Sequence, residues 1–209
     1  MSAPERVDVV LGLDLSLTRA GIAFIDNADL GWPYARPSLI TDVGHVGHDG
    51  APWWKRSRRL LAQARDVAAI ITDAEQHRRI VHAAIEGHPY GVNMPSAYDR
   101  IGLWWAVFGV LDAKGIPVTV VNPQTRAKFI TGRSPNGMKP GEHKKLVLAE
   151  QRAAWGLDST RLRNHDQADA LGLAHMAALH LGWPLQVEQR RRYVENVALV
   201  DWEPQKAAA

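Results

Sequence analysis

The sequence predicts an α/β protein built on a mixed five-stranded sheet, with three antiparallel strands, then two parallel ones, and helices on both faces. Two observations lead to this prediction. The chain begins with three short β-favouring runs, which suit antiparallel neighbours. It then alternates long helical patterns with short apolar strands, and parallel strands need helical crossovers of this kind.

The three N-terminal strands are predicted from short apolar runs. Residues 7–15 are almost continuously apolar except for Asp14, which is typical of a strand buried on both faces. Residues 21–25 follow a short turn and complete a hairpin, and residues 38–43 form the third strand.

The later elements follow from periodicity and stop signals. They are a helix at about residues 52–77, a strand at 80–85, a helix at 96–114, a strand at 117–121, and helices at about 142–155 and 166–181. We expect residues 1–183 to form one domain and residues 184–209 a C-terminal tail with a strand near residues 197–200.

Composition excludes several classes of protein. In 209 residues, 46% are hydrophobic and 22% charged, which indicates a packed core and not a disordered chain. The lack of cysteine excludes disulfides, thiolate zinc sites and cysteine nucleophiles. No run is long enough for a membrane helix and residues 1–6 do not suit a signal peptide, so we expect a cytoplasmic protein that makes no membrane contact. The net charge of +3 permits a polyanionic partner.

Acidic residues stand where apolar strands end. Asp14 interrupts the first strand, and Glu86 follows the strand at 80–85. If these strands are neighbours, both acids lie at the edge where open α/β sheets bind ligands. Asp166 and Asp169 add a pair on one face of the last helix.

Four carboxylates that converge with no Lys or Arg nearby repel one another, so the sequence predicts a cation that holds them. Hard oxygen ligands suit Mg²⁺ or Mn²⁺, and two such ions about 4 Å apart are the usual device for hydrolysing a phosphodiester. Each acid alone has a structural alternative. Asp166 and Asp169 can be first-turn acids that the helix dipole favours, and Asp14 can be a strand-end residue.

The segments around these acids carry a family resemblance. They are Gly12-Leu13-Asp14-Leu15-Ser16, Arg19-Ala20-Gly21-Ile22-Ala23, Ala84-Ile85-Glu86, Asn122-Pro123, Ala127-Lys128, Thr131-Gly132, and Asp166-Gln167-Ala168-Asp169-Ala170-Leu171. Together they resemble the RuvC family of Holliday-junction resolvases, which belongs to the ribonuclease H-like superfamily. The resemblance covers about residues 7–181 and implies a ribonuclease H-like sheet.

The resemblance also implies an activity: metal-dependent incision of branched DNA by a homodimer. It assigns the ligands of two Mg²⁺ or Mn²⁺ ions to Asp14, Glu86, Asp166 and Asp169, and the family's catalytic lysine to Lys144. Residues 87–90 and 133–139 depart from the loops of bacterial members. These departures and the tail suit a bacteriophage-encoded member, whose location would be a bacterial cell or a phage-infected host.

Basic and aromatic residues mark the expected DNA contacts. Those near the predicted site are Lys128, Arg133, Lys139, Lys144 and Lys145, and those at the start of the first long helix are Arg56, Arg58 and Arg59. Backbone phosphates are their expected partners, with a solvated face as the alternative for the helix. Tyr90 is expected to stack on an unpaired base, or to be an ordinary loop aromatic. His165 adjoins the aspartate pair, as a helper of the site or as a neighbour of the helix cap.

The helix at 96–114 is hydrophobic on all sides, which requires cover on both faces. We expect one face to pack on the sheet and the other on a second subunit, with Leu103, Val107 and Val110 at the centre of the interface and support from Trp104 or Trp105. Cover by the C-terminal tail is the alternative.

Three other functions remain open. Residues 12–18 also resemble the phosphate-binding hairpin of actin-type and sugar-kinase phosphotransferases, although the sequence contains no second hairpin of that kind. A ribonuclease H-like enzyme that cleaves RNA or an RNA–DNA hybrid would share the acids. A branched-DNA binder without catalysis would have no need of all four.

Overall fold

The computed structural model describes residues 6–29, 31–48, 50–88, 96–139 and 141–204. In chain order the elements are β1 (Val7–Asp14), β2 (Ala20–Asp26), β3 (Arg36–Val43), α1 (Trp53–Glu75), β4 (Arg78–Glu86), α2 (Ala97–Ala113), β5 (Val118–Val121), α3 (Pro123–Thr131), α4 (Glu142–Trp155), α5 (His165–His180) and α6 (Arg191–Val197). No described helix is both long and apolar enough to cross a membrane.

The predicted sheet is confirmed. Its five strands lie in the order β3-β2-β1-β4-β5. The pairs β1–β2 and β2–β3 are antiparallel, while β1–β4 and β4–β5 are parallel. Strand β4 therefore lies beside β1, and the carboxyl ends of these two parallel strands share one edge of the sheet.

Two core clusters cover the two faces of the sheet, because alternate residues of a strand point to opposite faces. On one face, Leu11 and Phe24 pack with α1 and α2. On the other, Val10 and Ala23 pack with helices α3 to α6. The C-terminal residues contribute Tyr193 to this second cluster.

Three local predictions differ from the structure. The sequence analysis does not predict α3, which lies between an Asn122 N-cap and Gly132, whose φ of 72° ends the helix in a left-handed turn. The strand predicted near residues 197–200 is wrong, since Val197 ends α6.

The third difference concerns α2. Leu103 and Val107, predicted at the centre of a subunit interface, are 0% and 1% exposed and belong to the core beneath α2, while Val110 is half-buried. That prediction is wrong because α2 is rotated so that Leu103 and Val107 face the sheet. The apolar residues that α2 presents outward include Ile101 and Trp105.

Candidate active site

The ends of β1 and β4 bring two carboxylates together. Leu13 of β1 is in register with Ile85 of β4, so the following residues, Asp14 and Glu86, lie side by side. Their side chains share a hydrogen bond. The indole Nε1 of Trp104 donates a hydrogen bond of 2.9 Å to the carbonyl oxygen of Glu86, which holds the end of β4 against α2.

Helix α5 carries the second pair of acids, and two glycines let it approach the sheet closely. A Cβ atom at Gly12 would overlap the carbonyl oxygen of Ala170, and one at Gly21 would overlap that of Asp166. A side chain at Gly21 would push the first turn of α5 outward, and one at Gly12 would push its middle. The glycines therefore bring Asp166 and Asp169, which are 9% and 8% exposed, close to the end of β1.

The N-terminus of α5 is held by a hydrogen-bonded cap. Asn164 accepts a hydrogen bond from the backbone N–H of Gln167, and Gln167 Oε1 accepts one from the backbone N–H of Arg163. Asn164 and Gln167 also donate to the carboxylate of Asp42 on β3. The cap fixes the first turn of α5, which carries Asp166.

An arginine lies among the carboxylates, and this overturns the expectation that no Lys or Arg is near them. Arg126 of α3 is buried, and its Nη2 donates a hydrogen bond of 3.0 Å to Glu86 Oε1. Its Nη1 forms an ion pair with Asp169 Oδ1. The guanidinium thus supplies part of the positive charge that we expected from metal ions alone.

The pKa values of the two strand-end acids move in opposite directions. Burial raises the pKa of Asp14 well above its usual range, and the neighbouring Glu86 carboxylate raises it further. Burial alone would also raise the pKa of Glu86, but the Arg126 guanidinium and the hydrogen bond with Asp14 outweigh it and lower that pKa.

Three histidines border the cluster. Burial lowers the pKa of His88, His143 and His165, and the charge of Arg126 contributes at the last two. His165 Nε2 lies 3.1 Å from Asp166 Oδ1. The imidazoles therefore add little positive charge at neutral pH, and Arg126 remains the cation in contact with these acids within the described ranges.

The basic residues predicted near the site are exposed. These are Lys128, Arg133, Lys139, Lys144 and Lys145, and none forms an ion pair with another described residue. Lys144 is close enough to His165 for its charge to lower that residue's pKa. Tyr90, the predicted stacking residue, lies outside the described residues.

Two of the three arginines at the start of α1 that were predicted to bind DNA are engaged within the protein. Arg56 donates to both carboxylate oxygens of Asp99 at 2.7 to 3.1 Å, and Arg59 donates to the carbonyl oxygens of Leu17 and His45. Arg58 is exposed and lies over the ring of Trp54. Of the three, Arg58 has the guanidinium most available to a phosphate.

The donor atoms suit a hard divalent cation in kind, because the acids at the strand ends and on α5 supply carboxylate oxygens, which Mg²⁺ and Mn²⁺ prefer. As arranged, the described residues contain no group of three or more histidine and acidic side chains that could hold a metal ion. Arg126 instead holds Glu86 and Asp169. The chemistry of the residues thus fits the predicted metal, while two of the predicted ligands have a guanidinium as their partner.

Arg126 and His143 lie at the site but were not predicted from the sequence. The segments that carry the family resemblance include Ala127 and Lys128. The side chain that faces the acids is that of Arg126, one position earlier. Asn122 and Gly132 are cap signals that mark the two ends of a helix in the sequence. Arg126 lies in the first turn of that helix, close to the end of β4. No spacing signal in the sequence singles out His143.

Comparison with solved structures gives clear matches of fold. The structure of RuvC from Thermus thermophilus matches with a TM-score of 0.57 at 20% identity, covering 84% of this chain and 97% of the other. RuvC from T. thermophilus in complex with a Holliday junction substrate matches with a TM-score of 0.59 at 20% identity, covering 85% and 99%. No protein-family model matches the chain, and no curated protein matches it significantly. The chain therefore has the ribonuclease H-like fold of the RuvC structures, as its mixed sheet and sequence motifs predict.

Proposed function

We propose that this protein is a metal-dependent endonuclease that cleaves four-way DNA junctions and other branched DNA as a homodimer. The observation that carries the proposal is the convergence of acids from β1, β4 and α5 at one edge of the sheet. Asp14 and Glu86 lie side by side there, and the first turns of α5 add Asp166 and Asp169. Such a cluster is expensive to bury unless it binds cations.

Asp14, Glu86, Asp166 and Asp169 would hold Mg²⁺ or Mn²⁺, up to two ions. Bound there, the metal would supply an activated water and neutralise the charge that develops on the phosphate. His165, at 3.1 Å from Asp166, would keep that carboxylate in position. Lys144, exposed near His165, is the residue of this chain that we place against the scissile phosphate.

The exposed basic residues of α3, α4 and the segment between them would bind the DNA backbone. They are Lys128, Arg133, Lys139 and Lys145. Because they have no ionic partner among the described residues, phosphate contacts would cost no existing ion pair. Arg58 would extend this contact onto α1, while Arg56 and Arg59 serve chiefly to hold α1 in place.

A dimer is expected because a four-way junction is resolved only when two strands are cut symmetrically. We place its interface on the outward face of α2. Trp105 is 61% exposed and Ile101 44%. These large apolar side chains lie on a helix whose opposite side is packed on the sheet, and a second copy would cover them. The area to be buried is on the order of 1,200 Å² or more in total for a stable interface.

The test is a cleavage assay on an end-labelled four-way junction in Mg²⁺, Mn²⁺, Ca²⁺ or EDTA. We expect paired symmetrical cuts in Mg²⁺ and Mn²⁺, and binding with little cleavage in Ca²⁺, which is larger and less demanding in geometry. Linear duplex and RNA–DNA hybrid are incubated in parallel. Cleavage of the hybrid with the junction left intact would favour the ribonuclease alternative and overturn the proposal, and ATP hydrolysis would favour a phosphotransferase.

A further inference from the structure

Arg126 lies among the carboxylates that we propose as metal ligands. Its side chain is 8% exposed, and its Nε has no hydrogen-bond partner among the described residues. Its two terminal nitrogens contact Glu86 and Asp169, which come from different elements, β4 and α5. The guanidinium therefore bridges the strand end and the helix that build the site.

A buried arginine is stable only when its charge is compensated, because removing a charge from water costs several kcal/mol. Glu86 and Asp169 provide that compensation through their contacts with the two terminal nitrogens of the guanidinium. Glu86 and Asp169 are also among the residues that would hold the proposed divalent cation. Arg126 and the metal thus compete for the same partners.

We propose that Arg126 is an internal counter-ion of the acidic cluster, which competes with the divalent cation for Glu86 and Asp169 and so sets the metal affinity of the site. This inference rests on the proposed metal-dependent function. Arg126 is a positioning residue in this account: it holds Glu86 and Asp169 together until the cation replaces it.

The competition predicts that replacing the arginine tightens metal binding. A purely structural residue would do the opposite, since disordering the ligands weakens a metal site. In Arg126→Gln the neutral amide no longer opposes the cation, and we expect the Kd for Mn²⁺ to fall about tenfold or more, the change that corresponds to an opposing ion pair of about 1.4 kcal/mol. Arg126→Lys keeps the positive charge, but a single ammonium group cannot contact both carboxylates as the guanidinium does. We therefore expect a smaller decrease in the Kd for Mn²⁺.

The measurement is Mn²⁺ binding without DNA, followed by isothermal calorimetry and by the decrease in the electron paramagnetic resonance signal of free Mn²⁺. Arg65→Gln is the matched control, because it removes one positive charge from an exposed position of α1, outside the acidic cluster and the proposed DNA contacts. We expect it to leave the Kd near the parental value. Thermal unfolding adds a second readout: in EDTA Arg126→Gln melts below the parental protein, and Mn²⁺ raises its melting temperature by more.

Several outcomes overturn the inference. If folded Arg126→Gln binds Mn²⁺ no more tightly than the parental protein, Arg126 does not compete with the metal, while the proposed nuclease stands. If neither protein binds Mn²⁺, both this inference and the metal-dependent function are wrong. If Arg126→Gln does not fold in EDTA, the test passes to Arg126→Lys, and a parental Kd for that variant overturns the inference.

Discussion

The side chains of Asp14 and Glu86 are joined by a hydrogen bond at the adjacent ends of two parallel strands. Burial raises the pKa of Asp14, while Arg126 lowers that of Glu86. Two acids in contact thus differ in their tendency to ionise because one of them also meets a guanidinium.

We expect Glu86→Gln to abolish junction cleavage and leave junction binding largely intact, because the amide is a poor metal ligand and the proposed phosphate contacts lie elsewhere. Gel-shift and cleavage assays on the same junction separate the two effects. Glu188→Gln, at an exposed position, is the control and should behave as the parental protein. A Glu86→Gln protein that nicks at the parental rate would remove Glu86 from the site.

The exposed lysines near the site are expected to contribute to the salt dependence of DNA binding. Replacing Lys139, Lys144 and Lys145 by Ala should lower the slope of log affinity against log salt by about 0.9 for each phosphate that the protein no longer neutralises. The decrease should be similar for junction and duplex, since binding to phosphates carries no sequence information. An unchanged slope in this triple variant would show that the basic residues face away from the DNA.

On α1, Arg58→Ala should weaken DNA binding without lowering the melting temperature. The same change at Arg56 should lower the melting temperature, because it removes the paired hydrogen bonds to Asp99. If both variants had the same effect on DNA binding and on the melting temperature, the assignment of DNA contact to Arg58 and of a structural role to Arg56 would be wrong.

Gly21→Ala should destabilise the fold and reduce cleavage together. The added methyl group would overlap the carbonyl oxygen of Asp166, so the start of α5 must move. We expect a decrease of about 1 to 3 kcal/mol in the free energy of unfolding, measured with urea. Gly31→Ala is the control, because a Cβ there makes only ordinary contact with Asp29. Parental stability and activity in Gly21→Ala would mean that α5 does not depend on the close approach.

His175 should make the fold sensitive to acid. It is fully buried beside Phe129, Trp155 and Tyr193, and burial lowers its pKa to about 3. The unfolded chain takes up a proton near pH 6.5 and the folded protein does not, so stability falls as the pH drops from about 6.5 towards 3, by up to about 1.4 kcal/mol per pH unit.

Urea unfolding between pH 7 and pH 4 tests whether the free energy of unfolding falls as the pH drops. His175→Phe keeps an aromatic ring among aromatic neighbours and should show a shallower dependence on pH. His82, whose pKa burial lowers to about 4, remains in both proteins, so the difference between them isolates His175. Parallel curves for the two proteins would assign the acid sensitivity to other groups.

The dimer is expected to depend on Trp105 and not on Val107. Trp105→Glu places a charge at the centre of the proposed interface and should give a folded monomer in sedimentation equilibrium. Val107→Glu places the charge in the core of the protomer and should lower the melting temperature instead. Leu199→Glu, at a position that is 73% exposed, is the control for a surface charge. A parental protein that sediments as a 23.1 kDa monomer would contradict the dimer itself.

The sequence alone was sufficient to predict the mixed sheet, and it indicates four acids as candidate metal ligands, which stay a prediction. Apolar runs and helical crossovers are local patterns that predict the strands and their parallel pairing. The sheet order, which places β4 beside β1 and not beside β3, is seen only in the structure. The adjacency of Asp14 and Glu86 follows from that placement. The glycines at positions 12 and 21 are visible in the sequence, but their role requires the contact with α5.

Only the tertiary structure decided the position of Arg126 and the rotation of α2. Helix α3 has nine residues, too few for a clear apolar period, so its cap signals can delimit the helix but cannot fix the direction of its arginine. A helix that is apolar all round, such as α2, has no periodic signal that fixes its rotation. Packing settles that rotation by burying Leu103 and Val107 against the sheet and leaving Trp105 outside. Both outcomes depend on side chains that are distant in sequence and meet only in the folded protein.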